Sequence, residues 1–231
     1  MTTTQSAVRS LPRLPKELAG VRIPDSRLAV EATELVWECS EELLFNHCVR
    51  TYVFGGLAAQ KLGIAHDVEL FYVAAMLHDL GLTARFTGPE RFEVDGANAA
   101  RAFLLERGAS ERTAALIWDA IALHTSVGIA HLKEPEVALV HLGAGLDVVG
   151  SPGNPATVTV RDFPEKTMSD ILETLPRLGL IKGLPALFAK ILEKKPHTAY
   201  FNMMADVARK HVPGFHEPTL TEVMAASGYA D

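Results

Sequence analysis

The stretch Tyr72–Leu82, YVAAMLHDLGL, constrains this chain more than any other. Its apolar run is nearly continuous, which predicts a helix buried on all sides. It ends on His78 and Asp79, and such side chains are seldom buried without partners. Gly81 follows, a residue suited to closing a helix. The other elements of the core must therefore supply partners for an imidazole and a carboxylate. Taken alone, the dipeptide also fits a helix-terminal histidine beside an exposed acid, so the rest of the chain has to decide.

Apolar residues recur at helical spacing on both sides of this stretch. Ser26 predicts an N-cap for a helix carrying Leu28, Ala32 and Cys39. A second helix is expected from about Ser40 to Leu62, with Leu43, His47, Thr51, Phe54, Ala58 and Leu62 on one face and Gly63 as its stop. Asp67 is placed to cap the central helix, Val68 to Leu80. After the polar loop at 83–95, Asp95 is expected to cap a small-residue helix, Gly96 to Arg107, closed by Gly108. Ser110 opens the next, in which Ala114, Ile117, Ile121 and His124 share a face. Glu134 to Gly150 forms another, with Val137, Val140, His141 and Ala144 apolar or half-polar and Asp147 set among Leu146, Val148 and Val149.

Ser151 to Pro164 is rich in Gly, Pro and Thr and reads as a loop. Thr167 with Asp170 predicts a capping-box start to a helix ended near Pro176. Pro185 is expected to open a further helix ending before Pro196, followed by helices over Thr198–His211 and Thr219–Ala226. Phe188, Met203 and Met204 read as packing residues. The one extended piece expected is Val158–Val160. The expectation is an all-α, compact multi-helix bundle: an irregular N-terminal arm over 1–25, then a single domain over 26–231, with its core at about 28–150 and C-terminal helices at about 166–228.

Charge narrows the function classes. With 22 Lys+Arg against 28 Asp+Glu and no basic run, the chain is poorly suited to gripping nucleic acid by its phosphates. No apolar stretch is long enough to span a bilayer, and the first residues lack the apolar core of a signal peptide. Two cysteines, Cys39 and Cys48, read as reduced thiols in helices. A cytoplasmic protein with no nucleic-acid or membrane partner is expected. A homo-oligomer stays open.

His47, His78, Asp79 and Asp147 are all expected on helices in apolar surroundings, and one divalent cation would satisfy them together. The order His, His-Asp, Asp on an all-helical chain resembles the HD-domain superfamily of metal-dependent hydrolases, over roughly residues 28–150. Within it, NHCVRTYVFG at 46–55, AAMLHDLGLT at 74–83, RFEVDGANAARAFL at 91–104 and ALHTSVGIA at 122–130 look like the cyanamide hydratase group. The resemblance implies one metal on His47, His78, Asp79 and Asp147, with zinc expected and iron or manganese as alternatives, and His124 lining the pocket of a small-molecule substrate.

A metal-held water of lowered pKa would attack a C≡N carbon, with His124 or Asp79 handling the proton. Arg50, one turn from His47, would neutralise a ligand carboxylate or bind an anion. Glu93 and Asp95 are placed to orient a ligand histidine from behind. His131 and His141 are candidates for a second metal, against plainer roles in a loop and in the core. Two other chemistries fit the same residues: a phosphohydrolase acting on a nucleotide or phosphate monoester, and an iron-dependent oxygenase with two metals. A binding module that keeps the His-Asp helix for structure alone is the non-enzymatic alternative.

Overall fold

A computed structural model describes residues 10–151 and 158–228. The fold is all-α. Ten α-helices are present among these residues: α1 (Arg27–Cys39), α2 (Glu42–Leu62), α3 (Val68–Leu77), α4 (Phe92–Glu106), α5 (Glu111–Ala122), α6 (Pro135–Val149), α7 (Glu165–Thr174), α8 (Leu180–Leu192), α9 (Met204–His211) and α10 (Leu220–Ala225). Several starts follow their sequence signals. Ser26, Asp67 and Ser110 each accept a bond from the backbone N–H three residues on. Gly63 and Gly150 close α2 and α6 at φ of +67° and +75°, a region that glycine enters without strain.

Elsewhere the structure corrects the expectation. The arm is not wholly irregular: β1 (Glu17–Leu18) and β2 (Val21–Arg22) pair antiparallel, burying Leu18, Val21 and Ile23. Two residues per strand are too few for a periodic signal. Val158–Val160 is not a strand, and Val160 begins a 3-10 turn. Residues 152–157 of the expected loop, and 1–9 of the arm, lie outside the described residues. Thr167 does not open a helix, because α7 already runs from Glu165; the capping boxes are at Thr159 with Asp162 and at Thr219 with Glu222. Pro185 lies inside α8 rather than at its start. The helix expected from Thr198 is shorter, beginning at Met204 after a 3-10 turn over Pro196–Ala199.

Two apolar clusters organise the molecule. The larger joins the hairpin to α1 through α6, with Phe45, Val49, Phe71 and Met76 at its centre. The smaller sets Leu44, Leu82 and Phe92 against Leu180, Leu184, Ile191 and Leu192 of the C-terminal helices. The pair α2 and α6 is the most extensive helix contact, and glycines make it close. A Cβ on Gly143 would stand 2.0 Å from the Thr51 carbonyl oxygen, and one on Gly55 would stand 2.6 Å from that of Leu139. The central helix α3 is buried along Phe71–Leu77. No described helix is long and apolar enough to cross a membrane.

Candidate metal centre

The central helix ends one turn earlier than its apolar run suggests. His78 is the residue after α3, and Asp79 leaves helical geometry at φ −106° and ψ 15°. A 3-10 turn over Leu80–Leu82 follows. Gly81 is needed there for space rather than as a left-handed helix stop: a Cβ would stand 1.9 Å from the Phe92 carbonyl oxygen. This break turns both side chains toward α2. His47, on the buried face of α2, meets them.

Three electron-rich atoms converge. His47 Nε2 lies 3.2 Å from His78 Nε2 and 3.4 Å from Asp79 Oδ2, and His78 Nε2 lies 3.3 Å from the same oxygen. All three residues are buried. Each imidazole has its Nδ1–H committed elsewhere: His47 donates to Asp147 Oδ2 at 2.6 Å, and His78 donates to the Ala75 carbonyl at 2.7 Å. Their Nε2 lone pairs therefore face one another and a carboxylate. Only positive charge satisfies that arrangement, either a proton or a cation. Burial alone would drive His78 toward its neutral form, but the Asp79 carboxylate prevails and holds it well above its ordinary range. The same attraction, with help from His47 and His124, overcomes burial at Asp79 and keeps its carboxyl well below the usual value.

The donor set fits a divalent ion. Bonds of ~2.0–2.1 Å to a tetrahedral centre set its ligand atoms roughly 3.3 Å apart, and the three observed separations match that edge. Three protein donors would leave a coordination position open on the cavity side, where His78 and Asp79 line the wall.

The structure does not bring Asp147 into this triangle. It lies behind His47, where Arg50 grips it with Nε to Oδ1 at 2.7 Å and Nη2 to Oδ2 at 2.9 Å. Burial raises its carboxyl, but the bonds from His47 and Arg50 outweigh this and hold it well below the usual range. Arg50 is itself fully buried and also donates to the carbonyls of Leu175 and Pro176. It is thus committed to Asp147 and to the chain after α7, and faces no ligand.

His124 lies just past α5 rather than on it. Its Nδ1–H donates to the Ile121 carbonyl at 2.6 Å, and its Nε2 stands 3.7 Å from Asp79 Oδ1. Burial, reinforced by the charge on His78, lowers its pKa to about 4. His141 Nδ1–H donates to the His124 carbonyl at 2.8 Å, so it braces the turn from α6. Glu93 accepts from Thr125 Oγ1 at 2.6 Å and from Arg91 at 2.7 Å, fixing the residue beside His124, on which its charge also acts. Asp95 is no cap either. It sits in the first turn of α4 and accepts from the N–H groups of Gly88 and Glu90 and from Lys195 Nζ. His131 lies on a separate 3-10 turn, Ala130–Leu132.

Residues 44–149 match the HD domain family. Over that stretch the chain is similar to HD domains. Its helices α2, α3 and α6 carry the triangle and the Asp147–Arg50 support, and the family and the buried His-His-Asp cluster together support metal-dependent, hydrolase-type chemistry. No curated protein matches the chain at a significant level.

The matched stretch supplies only part of the cavity over the cluster. This cavity, of about 160 Å³, has His47, His78, Asp79, His124 and His141 at one end. Ala144, Gly145 and Val148 of α6 form its floor, and Leu184, Phe188, Met203 and Met204 close it from beyond that stretch. Of the expected packing residues, Phe188 and Met204 do pack in the smaller cluster, whereas Met203 is half-exposed, and all three line the open space. The sequence held one cue to that space: the small-residue run GAG at 143–145, in the helix that carries Asp147.

Proposed function

We propose that this protein is a metal-dependent hydratase that adds water to the C≡N group of cyanamide or a related small nitrile. One observation carries the choice over phosphate chemistry: among the described residues, no Lys or Arg lines the cavity. Phosphate substrates call for such cations. Arg50 and Arg91 are bound to Asp147 and Glu93, and Arg85 lies in solvent near Glu38.

His47 Nε2, His78 Nε2 and Asp79 Oδ2 would hold the ion, with zinc the expected identity. A bound divalent ion supplies a Lewis acid and lowers the pKa of water toward ~7. Asp147 and Arg50 fix the His47 ring, and the Ala75 carbonyl fixes that of His78. With its Nδ1–H on the Ile121 carbonyl, His124 presents a neutral acceptor nitrogen at neutral pH. It takes a proton from the attacking water and returns it to the substrate nitrogen. A carbon–oxygen bond forms, the carbon–nitrogen triple bond opens, and both water hydrogens end on nitrogen in the amide.

A second reading draws on Asp79, whose Oδ2 faces His47 and His78 while its Oδ1 faces His124. A carboxylate shared in this way suits two ions, as in an iron-dependent oxygenase that recruits His124 and His141. Metal analysis and turnover separate the readings. One zinc per chain with conversion of cyanamide or a nitrile to its amide supports the hydratase. Two irons per chain favour the oxygenase, and phosphate release from a nucleotide panel with no amide formed would overturn the hydratase.

A further inference from the structure

We infer that the substrate carries an apolar group beside its reactive head, and that the segments beyond the matched stretch select for it. This rests on the hydratase reading and narrows its substrate class from cyanamide to nitriles with an apolar substituent. The histidines and Asp79 of the cavity cluster together, and its other polar side chains are Thr125 and Ser151. The apolar lining comes from Val127, from Ala144, Val148 and Val149 of α6, and from Leu184, Phe188, Met203 and Met204. Val127 and Met203 are 58% and 52% exposed at its mouth. A mostly apolar concave lining with a few clustered polar groups is the usual form of a small-molecule site.

Size points the same way. A cavity of about 160 Å³ matches one that takes a benzene ring, at ~150 Å³. Cyanamide has no carbon beyond the reacting one, so it would fill only a fraction of this space and bury almost none of the wall. A nitrile with an alkyl or aryl group of up to about six carbons fills it with the C≡N carbon at the metal end. Unbranched thioethers such as Met203 and Met204 adapt to groups of different shape. Four of these eight apolar residues lie after residue 149, outside the matched stretch. The chemistry is thus built on the matched stretch, and the C-terminal segments supply half of the apolar wall.

The test uses the full metal-loaded chain and two measurements. For the nitriles from acetonitrile to pentanenitrile, whose reacting carbons are nearly alike electronically, kcat/KM should climb about fourfold per methylene. Cyanamide should be the poorer substrate. Met203→Gln should lower the pentanenitrile-to-acetonitrile ratio roughly threefold or more. Benzene binding, followed by ligand-observed NMR, should be detected in the wild-type chain and weakened in the same variant. A flat nitrile series with cyanamide turned over best would overturn this inference and leave the hydratase reading standing. Benzene bound in the Met203-dependent way with no nitrile or cyanamide hydrated would retain the apolar subsite and sink the hydratase reading. Absence of both benzene binding and a climbing series would overturn the inference.

Discussion

Burial has opposite outcomes at His78 and His124, because the Asp79 carboxylate stands closer to His78, at 3.3 Å against 3.7 Å, and the charge on His78 opposes a second one on His124. His78 is held charged by Asp79, well above its ordinary pKa, whereas His124 is pushed down to about 4. The consequences for the metal-free protein fall in separate pH windows. Below about 6.5 the unfolded chain protonates His124 while the folded one does not, so stability drops as pH falls from about 6.5 to about 4. Above about 6.5 the folded chain keeps the His78 proton that the unfolded chain releases, so stability drops as pH rises through the folded pKa. Urea unfolding without metal should therefore give a maximum near pH 6.5. The His124 arm, from 6.5 to about 4, is worth about 3 kcal/mol and should vanish in His124→Gln. A profile that rises steadily to pH 8 would contradict the charged His78.

Asp147 belongs to the same scale. A buried acid facing a histidine looks identical in sequence whether it holds an ion or holds the histidine that does; Asp147, expected among the ligands, bonds His47 and Arg50 in the structure. Asp147→Asn removes the carboxylate that accepts from His47 Nδ1 at 2.6 Å. Such partners are typically worth 10–100-fold in metal affinity, so competition with a chromophoric chelator should show a loss of that size without abolishing binding. An unchanged affinity would argue against the support role. Complete loss of metal would return Asp147 to the ligand set.

Among the elements, the α2–α6 contact sets the geometry that the site depends on, since His47 comes from one helix and Asp147 from the other. Gly143 controls how closely they approach. Its missing Cβ is replaced by the Thr51 carbonyl oxygen, which no side-chain rotation can move aside. Gly143→Ala should cost more than the ~1–3 kcal/mol usual for overpacking, with a thermal midpoint lowered accordingly. Gly108→Ala is the contrast. It meets nothing within 4 Å and carries only a positive φ of +79°, so a loss near ~1 kcal/mol is expected. Equal losses in the two variants would refute the close-approach account. Helix existence was legible from the spacing of apolar residues and from caps such as Ser26, Asp67 and Ser110. The close approaches were not, because Gly81 and Gly143 look like any other glycines until a neighbouring backbone is known.

For the whole molecule, the half of the cavity that chooses a substrate was the least legible. Phe188 and Met203 satisfy an apolar pattern whether they face a core or an open space, and only the meeting of the two clusters tells which. Lys195 shows the same limit. Its Nζ reaches the Gly88 and Glu90 carbonyls and Asp95, tying the C-terminal part to the loop before α4, which nothing in the sequence around it signals. Because the triangle draws on α2 and on the end of α3, an ion there would clamp elements from the centre of the larger cluster, and its binding should register as global stability. At an ion concentration a thousandfold above Kd, binding to the folded state alone adds ~4 kcal/mol. For a chain of 231 residues, at ~2–4 °C per kcal/mol, the thermal midpoint should rise by roughly 8–16 °C over the chelator-treated protein. His78→Ala should lose that rise while keeping a cooperative transition, because it removes a donor without touching the helix contacts. A midpoint that zinc, iron(II) and manganese all leave in place would mean that the triangle holds a proton and not a metal.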